Sequence, residues 1–446
     1  MKPARFQWAS FGIFGLALAI RITYNFVVAY GYYPLHDSLT YQSIAYNLFR
    51  EHCYCLLPHL ATVDRAPLWP GIIAVIYGTL GPHDRTVRFL LSFVGATTCT
   101  LLYYFAKDLF GKRSGIFAGL LAALYPFLYV YDGWLYSESL YTFLLLAFCY
   151  TLYHLRRWPH RNLLLLNGLL LGLLSLTRPN GIAILALLWL WTLLMGQTKR
   201  IAWRGACKNS MIISIVTLTL LAPWTIRNYR VTHAFISIAV GDGKVLLGAY
   251  NTMILQLPDY QGIWIIPNTS SPSIAQLFPQ SCAGACEVRR DHTYRDYALQ
   301  WMEQNSGQMP YLLALHSINM WQITTQDADL AINRFPHRPA SQFVVVMMIL
   351  ITPLVFALAA LGLVVTRKRW PDLLFIYLLI AFTIVQCIIL YGIPRFRAPI
   401  EPMLILLGAG AVQWITMHFS KHRTMEPESA QVDASCAGNA SKSSVT

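Results

Sequence analysis

Apolar runs of roughly 17 to 25 residues, each long enough to cross about 30 Å of hydrocarbon, recur along nearly the whole chain and commit it to a bilayer. They fall near residues 8–29, 87–106, 115–131, 139–155, 163–177, 181–196, 210–226, 342–365, 373–392 and 402–419. About ten helices follow, with both termini on one side. The run 163–177 is short for a span, so its far end is expected to be broken or tucked into protein. Pro67 to Leu80 is shorter still and contains Pro67 and Pro70. It reads as a re-entrant or interfacial segment, the alternative being an eleventh span. With 56% hydrophobic and only 12% charged residues, a set of soluble domains is excluded.

Lys and Arg number 34 against 20 Asp and Glu, a formal charge of +14 that in a soluble protein would prompt a search for nucleic acid. Here their placement gives another reading. Lys2 and Arg5, Lys107 with Lys112 and Arg113, Arg156, Arg157 and Arg161, Lys199 with Arg200, Arg204 and Lys208, Arg367 to Arg369, and Lys421 with Arg423 all fall on one side of the ten spans. Basic residues in short loops are retained in the cytoplasm, so that side is cytoplasmic. An eleventh span at Pro67 to Leu80 would throw the later clusters outside, which favours the re-entrant reading. Arg21 lies inside the first apolar run and no Ala-x-Ala pattern follows it, so the run reads as a retained anchor in a multi-pass plasma (inner) membrane protein. The chain divides into an N-terminal membrane module (1–226, with the first outer loop at 31–86), a large outer loop (227–341), C-terminal helices (342–419) and a disordered cytoplasmic tail (420–446). No internal repeat, phosphate loop or dinucleotide fingerprint occurs.

The large outer loop is broken by Gly, Pro, Asn and Ser as far as Cys286, as expected of loop and short strands. From Asp291 to Trp321 the apolar residues return at helical spacing and predict two amphipathic helices, the second opened by Pro310. Cys53, Cys55, Cys282 and Cys286 all lie outside, an even number that permits pairing while leaving the connectivity open. Cys99, Cys149 and Cys387 read as small packing residues.

Ionisable groups at membrane depth are costly, and here they gather near one interface: Arg21, His36, Asp37, Asp64, Arg65, Asp132, Glu138, Arg178, Arg227, Arg230, Arg395 and Arg397. Carboxylates ringed by arginines suit an anionic lipid-linked substrate, because a guanidinium binds phosphate oxygens bidentately and stays charged. Each also has a plainer reading. Arg85, Arg88 and Arg334 are expected to snorkel to headgroups. Asp37 opens a polar-aromatic helix from Ser38 to Arg50 and could cap it, and Glu138 could complement a helix dipole.

Six blocks resemble the GT-C superfamily of polytopic glycosyltransferases, particularly bacterial members akin to protein O-mannosyltransferases and the lipid A aminoarabinose transferase. They are His36-Asp37-Ser38-Leu39-Thr40-Tyr41, Arg65-Ala66-Pro67-Leu68-Trp69-Pro70, Ser137-Glu138-Ser139-Leu140, Leu176-Thr177-Arg178-Pro179, Pro223-Trp224-Thr225-Ile226-Arg227-Asn228-Tyr229, and Arg395-Phe396-Arg397-Ala398-Pro399-Ile400-Glu401-Pro402. The resemblance implies an all-α GT-C-like bundle that moves a sugar from a polyprenyl-phosphate donor to a hydroxyl of a glycolipid, glycan or protein, on the outer face and with inversion. It implies Asp37 as general base with Glu138 beside it, Arg65, Arg178, Arg227, Arg395 and Arg397 on the donor phosphate, and His36, Tyr41 and Asp132 as further substrate contacts. The partners implied are the lipid-linked donor, the acceptor and membrane lipids, with no nucleic acid. No resident cofactor is implied: the donor is a co-substrate, no metal ligands are assigned, and a divalent cation is left open.

Asp37-Ser38 stands where protein mannosyltransferases carry paired acids, and Asp327-x-Asp329 lies too far along the chain to be assigned a metal. Two other classes use the same residues. A transporter or flippase of a lipid-linked saccharide would also hold phosphate with arginine, but would show repeats and midplane polar sites. An assembly subunit would not need its carboxylates.

Overall fold

A computed structural model describes residues 8–198, 202–267 and 282–423, with side chains described to residue 418. The expected spans are helices: α1 (Trp8–Thr23, continued by a π turn, Tyr24–Val28), α4 (Asp84–Phe110), α5 (Lys112–Leu124), α6 (Glu138–Arg157), α7 (Arg161–Thr177), α8 (Ala183–Gln197), α9 (Trp203–Thr232), α13 (Pro339–Val365), α14 (Trp370–Ile389) and α15 (Glu401–Arg423). Seven stretches among the described residues have the length and hydropathy of a membrane span, and α7 is a shorter apolar helix. Between the spans lie α2 (His36–Glu51), α3 (Leu68–Leu80), α10 (Asp242–Ala249), α11 (Ala285–Gln304) and α12 (Met309–Met320). The expected tail lies outside the described residues from 424 on, as do Lys2, Arg5, Lys199 and Arg200.

Three departures have local causes. The run 115–131 stops being α-helix at Leu124, because Pro126 lacks an N–H, and two 3-10 turns (Pro126–Leu128, Val130–Gly133) carry it on as a buried aromatic knot. Among the described residues of the large loop before Cys286, short helices stand where strands were expected. Asp291 accepts from Gly243 N at 3.2 Å and Lys244 N at 3.1 Å, giving α10 the cap its own sequence lacks. The described residues hold one small sheet instead, in the first loop: β1 (Cys55–Leu57) antiparallel to β2 (Leu60–Ala61). The two helices expected beyond Asp291 are α11 and α12, with Pro310 in the first turn of α12. Their residues Ala298, Trp301 and Leu312 pack with Ala249, Tyr250 and Ile254 in a satellite core.

One end of the bundle carries α2 and α3. Trp69 near the start of α3 donates to Leu135 O at 2.8 Å, and Tyr77 near its end donates to Asp84 Oδ1 at 2.6 Å. Asp84 opens α4, whose next turn sends Arg88 to Ala29 O, just beyond α1. Both ends of α3 are therefore tied to the chain that leads into α6 and α4. The basic loops collect at the opposite end. There Arg156 and Arg157 pair with Asp372, Arg369 donates to Leu109 O, and Tyr153 donates to Asp108 O at 3.2 Å.

Between helices in a bilayer, close packing rather than hydrophobic transfer sets the contacts, and small residues allow it. Gly362 of α13 lies directly on Leu407 O of α15, where any side chain would collide with backbone. One pair of buried charges ties the first helix to the aromatic knot. Arg21 of α1 meets Asp132 at 2.8 Å, both side chains fully buried, and Asp132 also accepts from Ser139 Oγ. Gly95 makes room for this pair, since a methyl there would run into Arg21 Nε and Asp132 Oδ2.

Candidate active site

Five chain segments meet at the α2 end. His36 has φ 45°, a left-handed conformation unfavourable for a residue with a Cβ, and the turn puts Asp37 into the first turn of α2. Asp37 makes no cap bond. Its carboxylate turns instead to Arg65 Nη2 at 2.7 Å and Arg395 Nη2 at 3.2 Å. Arg65 follows the hairpin and also meets Asp64 at 2.9 Å. Glu138, the first residue of α6, is buried with Oε1 at 2.9 Å from Arg178 and 2.5 Å from Arg395 Nε. Its Oε2 has no hydrogen-bond partner. Arg178 stands at the end of α7, held extended by the following Pro179.

Arg395 thus bridges the two carboxylates. It comes from a short helix (Pro394–Arg397) just before α15, and its guanidinium lies 4.1 Å over the Tyr136 ring. Tyr136 in turn stacks on Trp134 with centroids 3.8 Å apart. The three arginines stay partly accessible, at 12% to 17% exposure, and Asp37 is 36% exposed, so the cluster opens to the outside of the fold. Burial alone would raise the Asp37 carboxyl. The charges of Arg65, Arg395 and Lys244 outweigh it and hold Asp37 well below the usual carboxylate range.

Two acids that sequence reasoning set aside belong here. Asp327 comes within 4.0 Å of Arg395, and burial pushes its carboxyl up to about 6 against the pull of that arginine. Asp329 gathers His36 Nδ1 at 3.0 Å, Arg334 at 3.0 Å and the Tyr136 hydroxyl. The Asp-x-Asp spacing was the available signal; apart from Arg334, close by in sequence, its partners Arg395, His36 and Tyr136 lie far from it along the chain. Among the described residues, no three His, Cys, Asp or Glu side chains converge as metal ligands.

Of the residues singled out in sequence, the structure brings Asp37, Glu138, Arg65, Arg178 and Arg395 together, with Tyr41 under Arg65 (5.7 Å from ring to guanidinium) and His36 at the rim. Three lie apart. Asp132 is sealed with Arg21. Arg397 is fully buried, pairing with Glu401 at 2.5 Å and donating to Gln322 O at 3.1 Å. Arg227 clamps the first loop, donating to Thr62 O at 2.7 Å and Tyr54 O at 3.1 Å. Arg88 and Arg334 do not snorkel: Arg88 is buried on Ala29 O, and Arg334 holds Asp329. The four loop cysteines are paired locally, Cys53 with Cys55 and Cys282 with Cys286.

Residues 64–226, which include Arg65, Glu138 and Arg178, match the dolichyl-phosphate-mannose-protein mannosyltransferase family. No curated protein matches the sequence. Among solved structures, the chain superposes on the oligosaccharyltransferase AglB of Archaeoglobus fulgidus in its apo form with TM-score 0.56 at 13% identity, covering 95% of this chain and 52% of that one. The AglB complex with an inhibitory peptide and a dolichol-phosphate gives 0.55 at 14% identity, covering 94% and 51%. ArnT of Cupriavidus metallidurans bound to undecaprenyl phosphate gives 0.45 at 14% identity, covering 90% and 77%. The chain spans about half the length of the AglB structures. At the level of the fold the expected all-α bundle is borne out: the chain has the fold of these oligosaccharyltransferase structures, and seven stretches of its described residues are long and apolar enough to cross a membrane.

Proposed function

We propose that the protein transfers a sugar from a polyprenyl-phosphate donor to an acceptor hydroxyl, with inversion, at the α2 end of the bundle. The observation that carries this reading is Arg395 bridging Asp37 and Glu138, with Arg65 and Arg178 at their far sides. The acceptor oxygen bonds to the anomeric carbon as the carbon–oxygen bond to phosphate breaks, and the acceptor proton passes to Asp37. The leaving electron pair becomes charge on the lipid phosphate, which Arg65, Arg178 and Arg395 stabilise through fixed donors. Glu138 keeps one free carboxylate oxygen, suited to a sugar hydroxyl. The lipid phosphate in the AglB complex supports a donor of this class. The basic loops at the opposite end support cytoplasmic termini and a site on the outer face. The family match supports a hexosyl donor as readily as the fold allows a pentosyl one, and glycolipid, glycan and protein all remain acceptor candidates.

The test is transfer by purified protein from radiolabelled polyprenyl-phosphate sugars to a membrane glycolipid extract, comparing wild type with Asp37→Asn. Removal of a general base is expected to cost about 10²- to 10⁴-fold. Undiminished transfer by the Asn variant rejects Asp37 as base. Movement of labelled lipid across liposomes without transfer supports a flippase instead.

A further inference from the structure

Arg65 is only as well placed as the four residues before it, and those are gripped by a side chain far along the sequence. We infer that Glu287, at the start of α11, is a positioning residue that fixes Arg65 and through it Asp37, so that the large loop completes the site; the inference rests on the glycosyltransferase reading. Glu287 is 1% exposed and uses both carboxylate oxygens on the first loop. Oε1 accepts from Thr62 Oγ1 at 2.6 Å, and Oε2 accepts from Val63 N at 2.7 Å. Thr62 Oγ1 accepts in turn from Asp64 N at 3.1 Å, so the bonded chain runs unbroken to the residue that pairs with Arg65.

The plainer account of a glutamate in the first turn of a helix is that it complements the helix dipole or caps its own N–H groups. Here both oxygens are spent on another segment, and these bonds, with the nearby charge of Arg290, oppose the cost of burying the carboxylate. Other contacts close on the same stretch. Arg227 takes Thr62 O and Tyr54 O, Val240 N donates to Val63 O at 3.0 Å, and Tyr54 Oη donates to Arg65 O at 3.0 Å. The approach of α11 is set by Gly284, which has φ 58° and packs on Val231 O and Ala61 O, within the turn closed by the Cys282–Cys286 disulfide. With Glu287 removed, Val63 N and Thr62 Oγ1 lose their buried acceptors, and the segment is held less firmly against a shift of Arg65 away from Asp37.

The experiment compares wild type, Glu287→Ala, Arg65→Ala and the double variant by two readouts. Hydrogen exchange, which needs no substrate, is expected to speed up at the Val63, Asp64 and Arg65 amides of Glu287→Ala. Transfer is expected to lose kcat/KM by ~10-fold or more, up to the ~10²-fold that an ångström of misplacement costs, with no further loss when Glu287→Ala is added to Arg65→Ala. Unchanged exchange at these amides overturns the inference, and so does a loss that multiplies in full with that of Arg65→Ala, which would mark a merely structural role. Should the alanine variant fail to fold, Glu287→Gln reads the same two quantities, because its single carbonyl oxygen cannot serve Thr62 and Val63 together in the carboxylate's geometry. A wild type that transfers no sugar sinks the glycosyltransferase reading, and the exchange measurement still decides whether Glu287 holds the segment.

Discussion

Arg395→Gln separates catalysis from stability more cleanly than any other single change. Arg395 Nε is 2.5 Å from Glu138, Nη2 is 3.2 Å from Asp37, and Asp327 lies at 4.0 Å. Removing one member of an isolated buried pair costs about 3–5 kcal/mol, because a charge is left uncompensated. Neither carboxylate is orphaned here, since Arg65 stays on Asp37 and Arg178 on Glu138. The stability loss is therefore expected below that range, read as a modest fall in melting temperature in detergent. Catalysis loses more: a preorganised donor to developing oxyanion charge is worth about 10²–10³ in kcat, or about 2.7–4 kcal/mol. A second signature follows from charge. Asp37 is held low by Arg65 and Arg395, so removing Arg395 raises its pKa. Asp37 must be ionised to accept a proton, and activity fails as pH falls through that pKa, so the acid limb of the rate profile moves to higher pH. Arg395→Lys keeps the charge without the fork and should recover part of the rate while leaving one carboxylate uncontacted. The assay is sugar transfer at saturating donor across the acidic range. A Gln variant that keeps kcat within a few-fold of wild type, or whose acid limb moves down, would refute the bridging role.

Asp132→Asn leaves Arg21 charged and unpaired in a fully buried site, so a loss of about 3–5 kcal/mol is expected in detergent unfolding; a variant as stable as wild type would show the pair to be dispensable. Arg397→Met should lower stability by several kcal/mol through the orphaned Glu401, while the folded fraction binds polyprenyl phosphate as wild type does; selective loss of that binding would return Arg397 to the phosphate site. Asp327 titrates near 6, above its ordinary value, so the stability it contributes is present at low pH and lost as pH rises through about 6. Wild type should accordingly gain stability over Asp327→Asn between neutral and mildly acid pH, and parallel melting curves against pH would contradict this.

The helices were legible because an apolar run of bilayer length has few other solutions, and the basic loops separated from the ionisable layer because charge in short loops is topologically constrained. The centre of the site was legible too, since an arginine such as Arg178, bracketed by apolar runs, must find an anionic partner. What stayed hidden was the long-range pairing made by irregular chain. Asp329 reaches His36 across 293 residues and Tyr136 across 193, and Glu287 reaches Thr62 across 225. No periodicity encodes such contacts; they exist only once the helices have packed and carried the loops to one end. The strands expected before Cys286 failed for a similar reason. The cap that makes α10 a helix is supplied by Asp291, 48 residues beyond Gly243.

The two arginines of Arg395-Phe396-Arg397 show where a motif needs geometry before it can assign roles. The resemblance implied the donor phosphate for both, because both lie in the one block before the last span. On a helix of 3.6 residues per turn, residues two apart differ by about 200° in direction, so they cannot face one cavity. The short helix Pro394–Arg397 acts on that difference: Arg395 points to Asp37 and Glu138, while Arg397 points into the core against Phe127 and Phe356. A clue stood in the sequence. Glu401 lies four residues after Arg397, the spacing at which helical side chains meet, and no acid stands four residues after Arg395. The arginine with a partner four residues further along the same stretch of chain is committed to the fold. The one whose partners must come from three other segments is the one a substrate phosphate can contest.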